Sequence, residues 1–218
     1  MSSENDAVKE EVLKTAKEMV AIGLAAGTEG NVSARLPDGN VCITPSSLNY
    51  NIMTVDDLVT IDLDGNHVEG TRGASSEKAV HLFNYKAYEE VGSVIHSHPV
   101  YASMFACAHQ SIPAAIEESV VFIGGDIPCC DFRTTGTDDL AAESVRLLVD
   151  RSAALLANHG LVSIGADAYS ALRVAALVEK VAKIVVGARQ LGGEQSVPEK
   201  VKTDFHGVYT MMRPHRLP

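Results

Sequence analysis

Residues 32–36 and 41–44 are two β-like runs joined by only four residues, Pro37-Asp38-Gly39-Asn40. A parallel pair needs a crossover of about a dozen residues, so a link this short forces the two strands to lie antiparallel. A third run at 59–63 is followed by the turn dipeptide Asp64-Gly65. This stretch predicts a meander and excludes a strict βαβ repeat.

Helices must then cover that sheet. Apolar side chains at Val8, Val12, Ala16, Met19, Val20 and Leu24 predict a helix over 5–26, with Gly27 as its cap. Ser75-Ser76-Glu77 opens a helix to about residue 90, residues 93–97 read as a buried strand, and 101–108 as another helix. Residues 119–123 read as a strand, and Thr137 caps a helix to about 150. The apolar run 153–157 leads into Asn158-His159-Gly160, with 161–164 as its hairpin partner and a long helix over 167–191. The expectation is a single α/β domain over 1–218, with helices covering a mixed, largely antiparallel sheet. After Gly192-Gly193 the chain turns polar and carries Pro198 and Pro214. That predicts a tail from about 192 that is loosely held or docked on a neighbouring subunit.

Composition narrows the function. With 46% hydrophobic and 21% charged residues, a chain of 218 residues buries an ordinary core without staples. The net charge of −10, with no run of Lys or Arg, argues against nucleic acid as a partner. The polar start, MSSENDAVKEE, and the lack of a long apolar run predict a cytoplasmic protein that neither spans nor sits on a membrane. Cys42, Cys107, Cys129 and Cys130 form no C-x-x-C pair and read as reduced, structural thiols.

The histidines carry more information. On a strand, His96 and His98 point to one face, so their imidazoles can converge on a metal ion. His159, just after another apolar strand, can supply a third nitrogen, and three imidazoles with an open position make a catalytic zinc site. The residues alone leave a second reading open, in which His96 and His98 are ordinary satisfied histidines beside Pro99. Glu77, in the first turn of a helix, is either a candidate base or a carboxylate that merely complements the helix dipole. Ser75 and Ser76 place hydroxyls and free N–H groups at that helix start, a setting suited to phosphate. His81, one turn on, reads as a supporting or packing residue rather than a fourth ligand. Two further loops, Gly27-Thr28-Glu29-Gly30-Asn31 and Thr44-Pro45-Ser46-Ser47, offer glycine nests and neutral donors, or are simply turns.

Taken together, GTEGNVSAR at 27–35, ITPSS at 43–47, SSE at 75–77, His96-Ser97-His98 and NHG at 158–160 resemble the class II aldolase/adducin-head family. The resemblance covers most of the chain, to about Gly187. It implies a three-layer α/β/α domain, a homotetramer with active sites at subunit interfaces, and zinc, or manganese or cobalt in its place, on His96, His98 and His159. It implies Glu77 as acid/base and Thr28, Asn31, Ser46, Ser47, Ser75 and Ser76 as the phosphate binders of a sugar phosphate. The reaction implied is cleavage of a ketose 1-phosphate to dihydroxyacetone phosphate and an aldehyde. Sugar-phosphate epimerases, sugar-acid phosphate decarboxylases and metal-free adducin-like scaffolds are the other branches. Lys78 is not needed as a Schiff-base residue, because it projects about 100° away from Glu77 on a helix.

Two positions depart from the family's aldolases. Ser47 stands where they carry a glycine, and Glu118 falls where they carry a tyrosine that serves the leaving alkoxide. Glu118, Tyr209 or His206, reaching in from an adjacent subunit, is expected to handle the C4 hydroxyl proton.

Overall fold

The computed structural model describes residues 2–213. Its centre is a sheet of seven strands: β1 (Asn31–Arg35), β2 (Val41–Ile43), β3 (Val59–Ile61), β4 (His67–Glu69), β5 (Ser93–Ser97), β6 (Ala153–Leu156) and β7 (Gly160–Gly165). Their order is β4-β3-β2-β1-β5-β7-β6, and each neighbouring pair runs antiparallel. The short links already demanded this for β1 and β2; β5 reaches β1 only by way of a helix.

Alternation along the strands divides the core into two layers. Val32, Ala34, Cys42, Ile95, Leu155 and Leu161 face one side. There they meet α1 (Ser2–Ala21), α3 (Val100–Cys107) and α6 (Ala168–Gln190). Val41, Ile43, Val94, Leu156 and Val162 face the other, against α2 (Lys78–Ala87) and α5 (Asp138–Leu148). The result is the three-layer α/β/α arrangement.

Several local expectations change. Helix α1 stops at Ala21, because Gly23 at φ 78 turns the chain and Leu24 N–H reaches back to the Met19 carbonyl; Gly27 lies beyond the cap. The segment expected as a strand at 119–123 is instead α4 (Glu117–Ile123), closed by Gly124 in the left-handed region. Its β-branched residues favour a strand locally, but Val120 and Ile123 lie on one helical face and both are buried. The polar tail contains α7 (Glu199–Met212), which packs on α4 of its own chain and buries Tyr209. The exposed three-residue edge strand β4 had no alternation to reveal it. Among the described residues, no helix is long and apolar enough to cross a membrane.

Candidate active site

The site lies where β1, β5 and the β6–β7 turn end together. In the register of β1 and β5, Asn31 pairs with His96 and Ser33 with Val94. Val94 faces the α2 side, so period-two alternation sends His96, and with it Asn31 and Ser33, to that same face. Two glycines permit the approach to this strand end. A Cβ on Gly30 would lie 2.7 Å from the His96 carbonyl oxygen, and one on Gly160 would lie 2.5 Å from that of Ser97.

His159 occupies the tight β6–β7 turn. Asn158 before it holds φ 55, its Oδ1 contacts His109 Nε2 at 2.5 Å, and its N–H donates to Ala106 at the end of α3. The turn is thus fastened to a helix on the other side of the sheet. His98 lies just past β5, and its backbone N–H donates to the Leu24 carbonyl at 2.8 Å.

The three imidazoles meet. Their candidate ligand nitrogens lie within 4.8 Å of one another, and the Nε2 atoms of His96 and His98 are 2.9 Å apart. His96 Nδ1 lies 3.0 Å from the Leu161 carbonyl, which takes the ring proton there and leaves Nε2 its lone pair. Burial pushes His96 down to about 3 and lowers His98 as well, keeping both rings neutral as a metal requires. The buried Nδ1 of His159 has no protein partner. Three imidazole nitrogens beside a carboxylate, with polar capacity unmet by the protein, suit a divalent transition metal.

Glu77 is the N-cap residue of α2, one position earlier than the first-turn placement expected. Its Oε1 lies 3.1 Å from His159 Nε2 and its Oε2 lies 3.4 Å from His96 Nε2. Asn31 Nδ2 donates to Oε2 at 2.9 Å, and Thr135 Oγ1 donates to Oε1 at 2.7 Å. Burial opposes ionisation of Glu77, but the hydrogen bonds from His159 and Thr135 outweigh it, holding the carboxyl below the usual range. With His96 neutral near pH 7, the hydrogen-bond donors sustain the carboxylate.

The phosphate-loop candidates gather at the adjoining edge. Ser46 N–H donates to the Gly73 carbonyl and Ser75 N–H to that of Thr44, so the 44–47 and 73–77 segments lie side by side. Tyr50 donates to the Gly30 carbonyl at 2.6 Å and ties the 27–31 loop, with exposed Thr28, to the same edge. Ser47 keeps φ 57, the left-handed conformation that a glycine adopts freely, and its hydroxyl lies exposed beside that of Ser46. Ser76 is exposed and open to a ligand, whereas Ser75 is buried and its Oγ accepts the Glu77 N–H. Asn31 spends its amide nitrogen on Glu77 and its oxygen on His81, so it positions those groups instead of standing free for phosphate.

Other candidates lie elsewhere. Lys78 donates to the Gly65 carbonyl. Glu118 is exposed and pairs with Lys180 at 3.4 Å. Glu118 and Tyr209 line a cavity of about 330 Å³ with Phe122, Ser152 and Arg173, which contains none of the three histidines. Tyr209 is 1% exposed with its phenol 3.0 Å from Ser152 Oγ, and burial pushes it up to about 12. In this conformation it is a core residue. His206 Nδ1 contacts the Gly124 carbonyl at 3.1 Å on that same side of the molecule. Thr135 went unrecognised in the sequence. Its setting, Thr134-Thr135-Gly136-Thr137, has the hydroxyl-and-glycine character of the other loops, but only the helix cap at Thr137 was drawn from it.

Residues 10–186 match the family described as Class II Aldolase and Adducin N-terminal domain. The chain is 35% identical over 192 residues to 5-deoxy-D-ribulose 1-phosphate aldolase of Bacillus thuringiensis serovar kurstaki, covering 88% of this chain and 90% of that protein. It is 35% identical over 182 residues to L-fuculose phosphate aldolase of Escherichia coli K12, covering 83% of each. A solved L-fuculose 1-phosphate aldolase superposes with a TM-score of 0.88 at 32% identity, over 92% of this chain and 95% of the other.

Proposed function

We propose, since the chain belongs to the class II aldolase and adducin N-terminal domain family, that it cleaves the C3–C4 bond of a ketose 1-phosphate to give dihydroxyacetone phosphate and an aldehyde. The chain is a lyase of the aldolase class, and its reaction and substrate are our reading. The observation that carries this reading is Glu77 held between His96 and His159, at 3.4 and 3.1 Å, by donors that keep it ionised.

His96, His98 and His159 would hold zinc, which supplies Lewis acidity toward the substrate's carbonyl side when bound. Glu77 moves the proton at the carbon that the cleavage frees, taking it in the condensation direction and returning it in the cleavage direction. Asn31 and Thr135 keep one oxygen each and so fix the plane of that carboxylate. Thr28, Ser46, Ser47 and Ser76 present neutral donors to the phosphate, consistent with a chain whose net charge of −10 gives no long-range attraction for anions. Glu118 serves the aldehyde end only from a neighbouring copy, in the homotetramer we infer from the family resemblance.

Replacing Glu77 with Gln tests the assignment. We expect turnover to fall by roughly a thousandfold or more while zinc content stays near one per chain. Wild-type cleavage by that variant would end the reading. Product analysis with 5-deoxyribulose 1-phosphate and fuculose 1-phosphate tests the reaction, because an epimerase or a decarboxylase on the same metal releases no dihydroxyacetone phosphate together with an aldehyde.

A further inference from the structure

A line of buried side-chain hydrogen bonds runs from the middle of α2, across β1, to the carboxylate of Glu77. Tyr85 Oη lies 2.7 Å from Ser33 Oγ, and Ser33 Oγ lies 2.6 Å from Nδ1 of His81. His81 Nε2 meets Asn31 Oδ1, and Asn31 Nδ2 reaches Glu77 Oε2 at 2.9 Å. Ser33 and His81 are fully buried, and Tyr85 and Asn31 are 2% and 3% exposed, so water does not substitute for any intermediate link.

Proton counting gives this line one direction. An ionised carboxylate only accepts, so Asn31 must turn its NH₂ toward Glu77 and its carbonyl oxygen toward His81. His81 must therefore carry its proton on Nε2. Burial pushes His81 down to about 4, so the ring holds one proton and Nδ1 is an acceptor. Ser33 supplies the hydroxyl proton to Nδ1, and Tyr85 donates to Ser33 in turn. The other acceptor near Ser33, the Val94 carbonyl, is 3.5 Å away and too distant to compete. Reversing the line would set the Asn31 carbonyl against the carboxylate of Glu77.

We propose that His81 is a positioning residue: through Asn31 it fixes Glu77 in the orientation from which the carboxylate reaches the reacting carbon. The inference rests on the reading of Glu77 as the acid/base, and gives a task to a histidine that is not among the three gathered ligands. The second oxygen of Glu77 stays with Thr135 and His159, at the open side of the site.

The test uses the zinc-loaded enzyme with dihydroxyacetone phosphate in D₂O, following loss of the exchangeable hydroxymethyl proton by NMR. His81→Leu removes both nitrogens at similar bulk, while His81→Gln keeps an N–H near the position of Nε2. We expect His81→Leu to lower kcat for exchange by about tenfold or more with KM and zinc content little changed, and His81→Gln to recover most of the loss. A wild-type kcat in His81→Leu, or His81→Gln no better than His81→Leu, would overturn the proposal. Should these variants fail to fold, ¹⁵N-histidine NMR of the wild-type enzyme still decides: Nε2–H at His81 supports the line and Nδ1–H refutes it. Unaltered exchange in Glu77→Gln would instead strike the acid/base reading, leaving the tautomer result intact.

Discussion

The two faces of the sheet at β1 and β5 carry different burdens. Toward α1 and α6 they present Val32, Ala34 and Ile95, which share one apolar cluster with Val178, Val181 and Ala182. Toward α2 they present Asn31, Ser33 and His96, and the helix answers with Glu77, His81 and Tyr85. The apolar face gains from every buried methylene, whereas the polar face gains only if each donor finds its acceptor. At these two strands the chemistry is thereby confined to the α2 side, although Val94 also packs there, and residues that serve only packing on the other side can be altered separately.

The largest expected effect is on the polar face. Stripping the metal with a chelator, or replacing His159 with Ala, should reduce cleavage by a thousandfold or more, on the order of 4 kcal/mol in the barrier. Added zinc should restore the chelated wild type but not the variant, with bound metal and rate measured together. On the other face, Leu172→Ala in α6 should cost about 2–5 kcal/mol of stability, because Leu172 is 3% exposed within the apolar cluster. Its kcat well below the melting temperature should remain near wild type; a parallel loss of kcat would dissolve the separation.

The smallest effect is the dependence on acid. His81 has its folded pKa lowered to about 4 from 6.5, so the unfolded chain binds more protons in that interval. Its contribution to stability is therefore complete above pH 6.5 and lost as the pH falls toward 4, up to about 3 kcal/mol. Denaturant unfolding of metal-free protein across this window should show the slope, to which His96 and His98 also contribute, and His81→Gln should make it shallower.

Motifs were legible where neighbouring residues act together. Spacing brought His96 near the end of β5 and His98 just beyond it together, and the short link at 37–40 made β1 and β2 antiparallel. The helix at Glu117–Ile123 misled because β-branched residues suit a strand locally, and the left-handed Gly124 that ends the helix has no counterpart in periodicity. Helix α7 could have been found: Val201, Phe205, Val208 and Met212 follow helical spacing, but Gly207 and the flanking prolines obscured it. The loop of Thr135 has the hydroxyl-and-glycine character of the others, but its partner Glu77 is 58 positions away and nothing local identifies that partner.

Residue order alone determined the antiparallel meander, the paired histidines and the serines beside Glu77, since each depends on backbone period or turn length within a few residues. The folded chain decided which nitrogen of His81 carries the proton, that Asn31 serves Glu77, and that Tyr209 is locked in the core. Hydrogen-bond direction is settled by counting donors and acceptors around a closed set of groups, and that set exists only once β1, β5 and α2 have packed.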